Sequence, residues 1–191
     1  VLVAEVLTAY GYKVMFYNES VPSPLVSYAS KIYDLGIMIT ASHNPFSHNG
    51  IKVFTRGGVE ANRQQADYME RVASKVNSVK IKTLDFNRAI TAGKIELTKD
   101  IKPYCQSVIA LLDAKKITES QPNLLINAMH GSSVNCLKYI CEKLKLKKYE
   151  ITNTEYDCFF GGIQPTPYVG HLTAQGKKIH SALRLTATAT D

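Results

Sequence analysis

The chain has 191 residues, of which 45% are hydrophobic and 20% are charged, and this is typical of a soluble globular protein with one or two domains. No apolar run reaches the ~20 residues of a membrane helix, and no basic stretch followed by an apolar run predicts a signal peptide. The net charge of +7 suits an anionic partner, but the densest basic run, residues 143–148, has no interleaved aromatic residue, and no nucleic-acid-binding module is present.

The four cysteines do not form a metal or redox motif. There is no C-x-x-C pair among Cys105, Cys136, Cys141 and Cys158, and no histidine lies at zinc-finger spacing. Cys136 and Cys141 fall in a predicted helix, where a small core residue is the better interpretation. Reduced thiols predict a cytoplasmic location.

Helices and strands alternate along the first half of the chain. The predicted elements are a helix over Val1–Tyr10 that ends at Gly11, a strand over Lys13–Tyr17, a helix over Leu25–Tyr33 opened by Pro24, strands over Leu35–Ile39 and Ile51–Phe54, and a helix over Asn62–Val76. The last helix carries one apolar stripe, formed by Ala66, Met69, Val72, Ala73 and Val76. Residues 77–99 are weakly patterned.

The second half repeats this plan. The predicted elements are a helix from near Asp100 to Leu112, a strand over Leu124–Asn127, a helix over Val134–Lys143 capped by Ser133, a strand over Tyr149–Thr152, a helix over His171–Ala182 and a strand over Leu183–Ala189. We therefore predict an α/β fold of two three-layer α/β/α domains in series, residues 1–95 and 96–191, with mostly parallel, mixed sheets.

A polar string interrupts the pattern after the Leu35–Ile39 strand, which is predicted to be buried. It reads Thr-Ala-Ser-His-Asn-Pro over residues 40–45 and continues as Asn-Gly-Ile-Lys over residues 49–52. Ser42 should lie in the loop at the carboxyl end of the strand, where α/β proteins usually bind ligands. On composition alone, a polar turn whose Ser and Asn side chains bond their own backbone explains the string equally well.

The complete string resembles the active-serine signature of the α-D-phosphohexomutases, which include phosphoglucomutase and phosphomannomutase. Three other segments also resemble the family: residues 21–24 its V-P-T-P segment, residues 127–131 its D-P-M-H-G segment, and residues 160–167 its F-G-G-x-x-P-x-P loop. The chain departs from these patterns at Asn127, Ala128 and Thr166, where the family usually has Asp, Pro and Glu.

The resemblance implies roles for several residues of the string. Ser42 would carry the phosphoryl group, Lys52 would act as general acid and base, and His43 and Asn44 would contact phosphate oxygens or orient the loop. Without the motif, Lys52 would be interpreted as a solvated strand lysine. His130 is better explained as a structural residue that satisfies backbone groups at the end of a strand.

The resemblance also implies a Mg²⁺ cofactor. The family binds it through the phosphoserine, here Ser42, and a D-G-D-x-D-R loop. Residues 185–191 resemble the strand that leads into this loop, with Asp191 as the first carboxylate. By this comparison the chain is an internal piece covering most of domain I, without its N-terminal part, and most of domain II, with domains III and IV of the same chain as missing partners. The piece alone is expected to be inactive.

The function implied is the interconversion of hexose 1-phosphates and 6-phosphates, with a hexose 1,6-bisphosphate as activator and intermediate. Phosphoglucomutase or phosphomannomutase activity is favoured, with glucose preferred because of the Phe160-Gly161-Gly162 loop, and mannose, glucosamine and pentose phosphates are the alternatives. The alternative is a catalytically silent module that keeps the fold and binds sugar phosphates or partners. A serine hydrolase is disfavoured because no G-x-S-x-G elbow surrounds Ser42.

Overall fold

The computed structural model describes residues 1–162 and the backbone of residues 185–189. Its helices are α1 (Leu2–Ala9), α2 (Ser23–Ala29), α3 (Arg63–Ala73), α4 (Phe86–Thr91), α5 (Lys102–Ile109), α6 (Ala114–Ser120) and α7 (Val134–Lys143). Its strands are β1 (Val14–Tyr17), β2 (Leu35–Ile39), β3 (Ile51–Thr55), β4 (Val59–Glu60), β5 (Ile95–Thr98), β6 (Asn123–Asn127), β7 (Tyr149–Thr152) and β8 (Leu185–Ala189). Two 3₁₀ turns span Ser78–Lys80 and Phe160–Gly162.

Strand pairing confirms an α/β fold with mostly parallel, mixed sheets. β1 pairs with β5 in parallel, and β6 pairs in parallel with both β7 and β8. β2 and β3 form an antiparallel pair, as the short connection between them predicted. Within the part of the chain that the structure describes, no helix is long and apolar enough to cross a membrane.

The first of two compact units contains Val1–Ser20 and Glu60–Asp100. Its core lies around Ala4, Ala89 and Ile95. Asp85 immediately precedes helix α4, and its carboxylate accepts a hydrogen bond from the N–H of Arg88 at 2.9 Å, as expected for an N-cap. The core therefore joins α1 to the α4–β5 segment.

The second unit contains Val21–Val59 and Ile101–Asp191. One of its cores is formed by Ile126, Cys141, Leu144 and Leu146. Cys136 is also buried, and this burial raises the pKa of its thiol to about 12. The prediction that Cys136 and Cys141 are small core residues is therefore confirmed.

Several elements differ from the prediction. Helix α2 begins at Ser23 and ends at Ala29, so it is shorter than expected. Helices α4 and α6 and strand β5 were not predicted, because their short sequences have little periodicity of their own. Ser133 does occupy the N-cap of α7, but its side chain makes no capping hydrogen bond. The division into domains at residues 1–95 and 96–191 stays a prediction, and the predicted helix over 171–182 lies outside the described residues.

The prediction that β2 is a buried strand was wrong. One face of β2 packs on α2, but the side chains of Leu35 and Ile39 are 49% and 46% exposed. These two residues lie on the opposite face, because side chains alternate along a strand. The predicted apolar stripe of α3 is likewise not a core surface, since that helix has no buried residue among those described.

Close packing between α2 and β2 occurs at Gly36. A Cβ added there would overlap the Oγ of Ser30 and would lie 3.2 Å from the Cβ of Ser30 and 3.3 Å from Cγ1 of Val26. The Oγ of Ser30 donates to the carbonyl oxygen of Val26 at 2.7 Å, which fixes its position. Glycine at position 36 is therefore needed for α2 to approach the strand that precedes Ser42.

We predict that Gly36→Ala lowers the free energy of unfolding by roughly 1–3 kcal/mol, the usual cost of overpacking a core. The double variant Gly36→Ala/Ser30→Ala should recover part of this loss, because it removes the overlap with the Ser30 hydroxyl but not the 3.2 Å contact with Cβ. Denaturant unfolding of both variants and of Ser30→Ala measures the effect. Equal stability of wild type and Gly36→Ala would contradict the packing described here.

Candidate active site around Ser42

The β2–β3 hairpin determines where Ser42 lies. The strands pair in a register that places Ile39 opposite Ile51 and Met38 opposite Lys52. The N–H of Thr40 donates to the carbonyl oxygen of Gly50 at 3.0 Å, which closes the loop over residues 41–49. We call this segment the serine loop. A Cβ at Gly50 would lie 2.8 Å from the Thr40 carbonyl oxygen, so a side chain there would force the base of the loop apart.

Ser42 has a left-handed backbone at an exposed position of the serine loop. Its φ angle is +57°, a conformation that costs a residue other than glycine about 1 kcal/mol. Its N–H donates to Oγ1 of Thr40 at 3.0 Å, and its Oγ lies 3.2 Å from Nδ1 of His43. The hydroxyl is therefore presented to solvent with an imidazole nitrogen within hydrogen-bonding distance.

The other residues of the predicted site lie near the same end of the hairpin. Asn44 is exposed, and its N–H donates to the carbonyl oxygen of Ala41 at 3.1 Å. Lys52 is the second residue of β3 and is half-buried. The structure thus brings Ser42 and His43 into direct contact and places Lys52 on the strand that closes the loop.

The serine loop contains the tripeptide Ser-His-Asn twice, at residues 42–44 and 47–49. In the second copy, the Oγ of Ser47 lies 3.4 Å from Nδ1 of His48. Ser47 is not among the described residues with a positive φ angle. The loop therefore provides an internal comparison for Ser42, with the same neighbours on a different backbone.

An aromatic contact links the serine loop to the segment around residue 160. The rings of Phe46 and Phe159 meet edge to face, with their centroids 4.7 Å apart and an interplanar angle of 61°. Both residues belong to the second compact unit. Edge-to-face geometry is favourable because the positive edge of one ring faces the negative face of the other.

A strained turn after β6 positions His130. Met129 and His130 both have positive φ angles, 51° and 59°. The buried side chain of Asn127 supports the turn, because its Oδ1 accepts from the N–H of Met129 at 2.9 Å and from Nδ2 of Asn153 at 2.8 Å. Nδ1 of His130 lies 2.8 Å from the carbonyl oxygen of Glu155, so Nδ1 carries a proton and donates it. This is the structural role expected of His130.

Asp157 holds the segment that carries Phe159. Its two carboxylate oxygens accept hydrogen bonds from the N–H groups of Phe159 and Gly161, each at 2.9 Å. These bonds, with a smaller contribution from His130, hold the pKa of the Asp157 carboxyl below its ordinary value of 3.8. Gly161 also packs closely on His130, since an added Cβ would lie 2.7 Å from Nε2 of that imidazole.

Phe46, Asp157 and Phe159 were not predicted to belong to the site. The sequence signal for Asp157 is an aspartate two residues before a Phe-Phe-Gly-Gly run, because Asp side chains often bond the backbone N–H groups that follow them. No local pattern could have paired two phenylalanines so far apart. Thr166 and Asp191, which the sequence comparison singled out, lie outside the described residues.

The described residues do not by themselves supply a metal site. Across residues 1–162, no group of three His, Cys, Asp or Glu side chains is placed to hold a metal ion. Magnesium prefers several oxygen ligands in near-octahedral geometry, and the hydroxyl of Ser42 provides only one. Ligation of Mg²⁺ by Ser42 and Asp191 therefore stays a prediction.

Comparison with known proteins gives a family match over the first part of the chain. Residues 1–80 match the model of phosphoglucomutase/phosphomannomutase, alpha/beta/alpha domain I. A phosphoglucosamine mutase of Methanococcus maripaludis is 48% identical over 150 residues, covering 77% of this chain and 31% of the relative. A phosphoglucomutase of Staphylococcus saprophyticus is 29% identical over 159 residues, covering 78% of this chain and 27% of the relative.

The fold matches over a longer part of the chain. A crystal structure of a Thermus thermophilus protein described as a phosphomannomutase superposes with a TM-score of 0.79 at 24% identity. The match covers 98% of this chain and 42% of that protein. By contrast, this chain spans about a third of the length of the curated relatives it matches.

We predict that the amide proton shifts of Phe159 and Gly161 titrate together, with a midpoint below pH 3.8, because both groups donate to Asp157. A pKa that is lower in the folded chain means that ionised Asp157 stabilises the segment. This contribution is complete above pH 3.8 and is lost as pH falls through the folded value. Two-dimensional NMR of the acid titration measures it.

The variant Asp157→Asn should abolish this titration, and its single amide oxygen cannot reproduce both carboxylate contacts. Asp34→Asn is the matched control, since Asp34 is an exposed aspartate of the same unit that pairs with Arg56. Amide shifts that still titrate in the Asp157→Asn variant would show that another group holds the segment.

Proposed function

Because the chain belongs to the α-D-phosphohexomutase family of phosphoglucomutases and phosphomannomutases, we propose that the whole protein moves a phosphoryl group between the 1- and 6-positions of a hexose phosphate. Ser42 is the proposed phosphoryl carrier. The family match supports this assignment, and so does the sequence around Ser42, which reads Thr-Ala-Ser-His-Asn-Pro.

The exposed, left-handed Ser42 beside Nδ1 of His43 is the observation that carries the proposal. A serine hydroxyl is a weak nucleophile until a neighbouring group accepts its proton or a positive charge assists it. An exposed loop at the end of a strand also allows a sugar phosphate to reach the hydroxyl and, after turnover, to leave. Strained backbone at such positions is common where a side chain must be aimed at a ligand.

The proposed reaction has two phosphoryl transfers. Phosphorylated Ser42 donates its phosphoryl group to the free hydroxyl of the bound hexose phosphate. The sugar thereby becomes a bisphosphate, and Ser42 is left with a free hydroxyl. The bisphosphate turns over in the site, and its other phosphoryl group returns to Ser42. A hexose 1,6-bisphosphate is therefore both the intermediate and the proposed activator, because it can phosphorylate an unloaded Ser42.

Lys52 and the neighbours of Ser42 have supporting roles in this proposal. Lys52 transfers the proton of the reacting hydroxyl, because a single lysine amine can both give and accept one. His43 and Asn44 hold phosphate oxygens, which suits phosphoryl transfer, where catalysis is mostly positioning and neutralisation of charge. When bound, Mg²⁺ would neutralise negative charge on the phosphoserine, but the described residues form no complete site, so no step relies on it.

The substrate is proposed only at the level of a hexose phosphate. Relatives of this chain include a phosphoglucosamine mutase and a phosphoglucomutase, so the sugar varies among them. Glucose and mannose phosphates are the first substrates to test, with glucosamine phosphate as the third. The alternative is a catalytically silent module that binds sugar phosphate without transfer.

Incubation of the whole protein with glucose 1,6-bisphosphate and Mg²⁺, followed by peptide mass spectrometry, separates these two functions. We expect one phosphoryl group on the peptide that contains residues 41–50, located at Ser42. An unmodified Ser42 in a protein that still binds the bisphosphate would favour the silent module.

We predict that Ser42→Ala and Ser42→Gly each reduce mutase turnover of the whole protein by at least about 1,000-fold, since the covalent carrier is lost. Glycine tolerates a φ of +57° without strain, so its loss of activity cannot be attributed to backbone strain at this position. Ser47→Ala is the matched control, because it removes the hydroxyl of the second Ser-His pair. Substantial turnover in folded Ser42→Gly would refute the assignment.

We predict that Lys52→Met lowers kcat of the whole protein about 100-fold or more, with a smaller change in KM, as expected when a proton-transfer group is removed. Lys52→Arg distinguishes charge from proton transfer, because arginine keeps the charge but stays protonated. Steady-state kinetics measure both variants. Turnover restored by Lys52→Arg would assign Lys52 a purely electrostatic role.

A further inference from the structure

We propose that Phe159 is a positioning residue for Ser42, which acts by holding Phe46 and with it the serine loop. The inference rests on the proposed function for its catalytic consequence, but its physical content is a coupling between two loops. The observation that points to it is the edge-to-face contact between the two rings, at 4.7 Å.

Phe46 is well placed to transmit a constraint to Ser42. It lies four residues after Ser42 and inside the serine loop. The loop is folded into two consecutive turns: one precedes Phe46, with the N–H of Asn44 donating to the Ala41 carbonyl oxygen at 3.1 Å, and one contains it, with the N–H of His48 donating to the Pro45 carbonyl oxygen at 2.8 Å. A ring fixed at position 46 therefore limits the movement of both turns.

Phe159 lies on a segment whose backbone is fixed by several hydrogen bonds and close contacts. The N–H of Phe159 itself donates to Asp157, as does that of Gly161. Gly161 packs on His130, which is in turn bonded to the carbonyl oxygen of Glu155. The ring of Phe159 is thus attached to an ordered turn and not to an open loop.

The exposure of the two rings argues that this contact does not serve the core. Phe46 is 63% exposed and Phe159 is 59% exposed, so neither ring belongs to the buried core. The contact joins segments more than 100 residues apart in sequence. The described backbone hydrogen bonds of the serine loop, by contrast, stay within the hairpin.

The catalytic consequence follows from the demands of phosphoryl transfer. The reacting atoms must be held close to an in-line arrangement, and small displacements of the nucleophile lower the rate strongly. Without the ring contact, the serine loop samples more conformations, and a smaller fraction of them hold Ser42 in the in-line arrangement. Loss of the contact should therefore lower kcat more than it changes KM.

The first test is amide hydrogen exchange in the whole protein without substrate, in Phe46→Leu, Phe159→Leu and the double variant. We expect the N–H groups of Asn44 and His48 to exchange about 2- to 10-fold faster in each single variant, the range given by aromatic pair energies. The double variant should be no faster than the singles, because they remove the same contact. Tyr156→Leu, which removes an exposed ring from the same segment, should leave exchange unchanged.

The second test is the rate at which glucose 1,6-bisphosphate phosphorylates Ser42 in the same variants. We expect a fall of about 2- to 10-fold in Phe159→Leu and none in Tyr156→Leu. Unchanged exchange of the serine loop in Phe159→Leu would overturn the inference, whatever the activity. If exchange accelerates as expected but Ser42 is not phosphorylated even in the wild type, the coupling stands and the proposed function fails.

Discussion

The hydrogen bond that closes the β2–β3 hairpin, from the N–H of Thr40 to the carbonyl oxygen of Gly50, is the constraint on which the candidate site depends. It fixes the two ends of the serine loop, and the strand register then places Lys52 beside the same end of the sheet. Gly36 and Gly50 are both required by close approach, one to α2 and the other across the hairpin. The loop that presents the Ser42 hydroxyl to solvent is thus supported by close packing at Gly36 and Gly50, where there is no room for a Cβ.

Local sequence patterns predicted those elements whose signals are contained within a few residues. The apolar run of β2, the Gly-Ile-Lys start of β3 and the periodic helix α7 are of this kind. Strand β5 and helix α4 were missed because their stability comes from tertiary contacts: β5 pairs with β1 in parallel, and Ala89 of α4 is fully buried against distant residues. Burial of β2 was wrongly predicted, because an apolar run does not reveal which of its two faces is covered.

The residues of the candidate site likewise fall into those that a local sequence pattern predicts and those that depend on tertiary contacts. Ser42 and His43 are adjacent in sequence, so a contiguous motif is sufficient to predict their contact. Phe46, Asp157 and Phe159 contribute to the candidate site only because two loops far apart in sequence come into contact. No local pattern in a single sequence predicts such a contact. Asp157 is the exception in part, since its hydrogen bonds to residues 159 and 161 are local. Such a pattern predicts a turn, but it does not predict that a ring on this turn contacts Phe46.

The repeated Ser-His-Asn tripeptide shows that two serines with the same neighbouring residues can differ in backbone conformation. Both serines have a histidine nitrogen nearby, at 3.2 Å for Ser42 and 3.4 Å for Ser47, and both are exposed. Of the two, Ser42 alone combines this contact with a left-handed φ and an N–H bonded back to Thr40 at the end of β2. Residue type and solvent access alone therefore do not distinguish Ser42, the proposed phosphoryl carrier, from Ser47. Attachment to the end of the strand is the physical difference that favours Ser42, because it gives that hydroxyl a fixed direction.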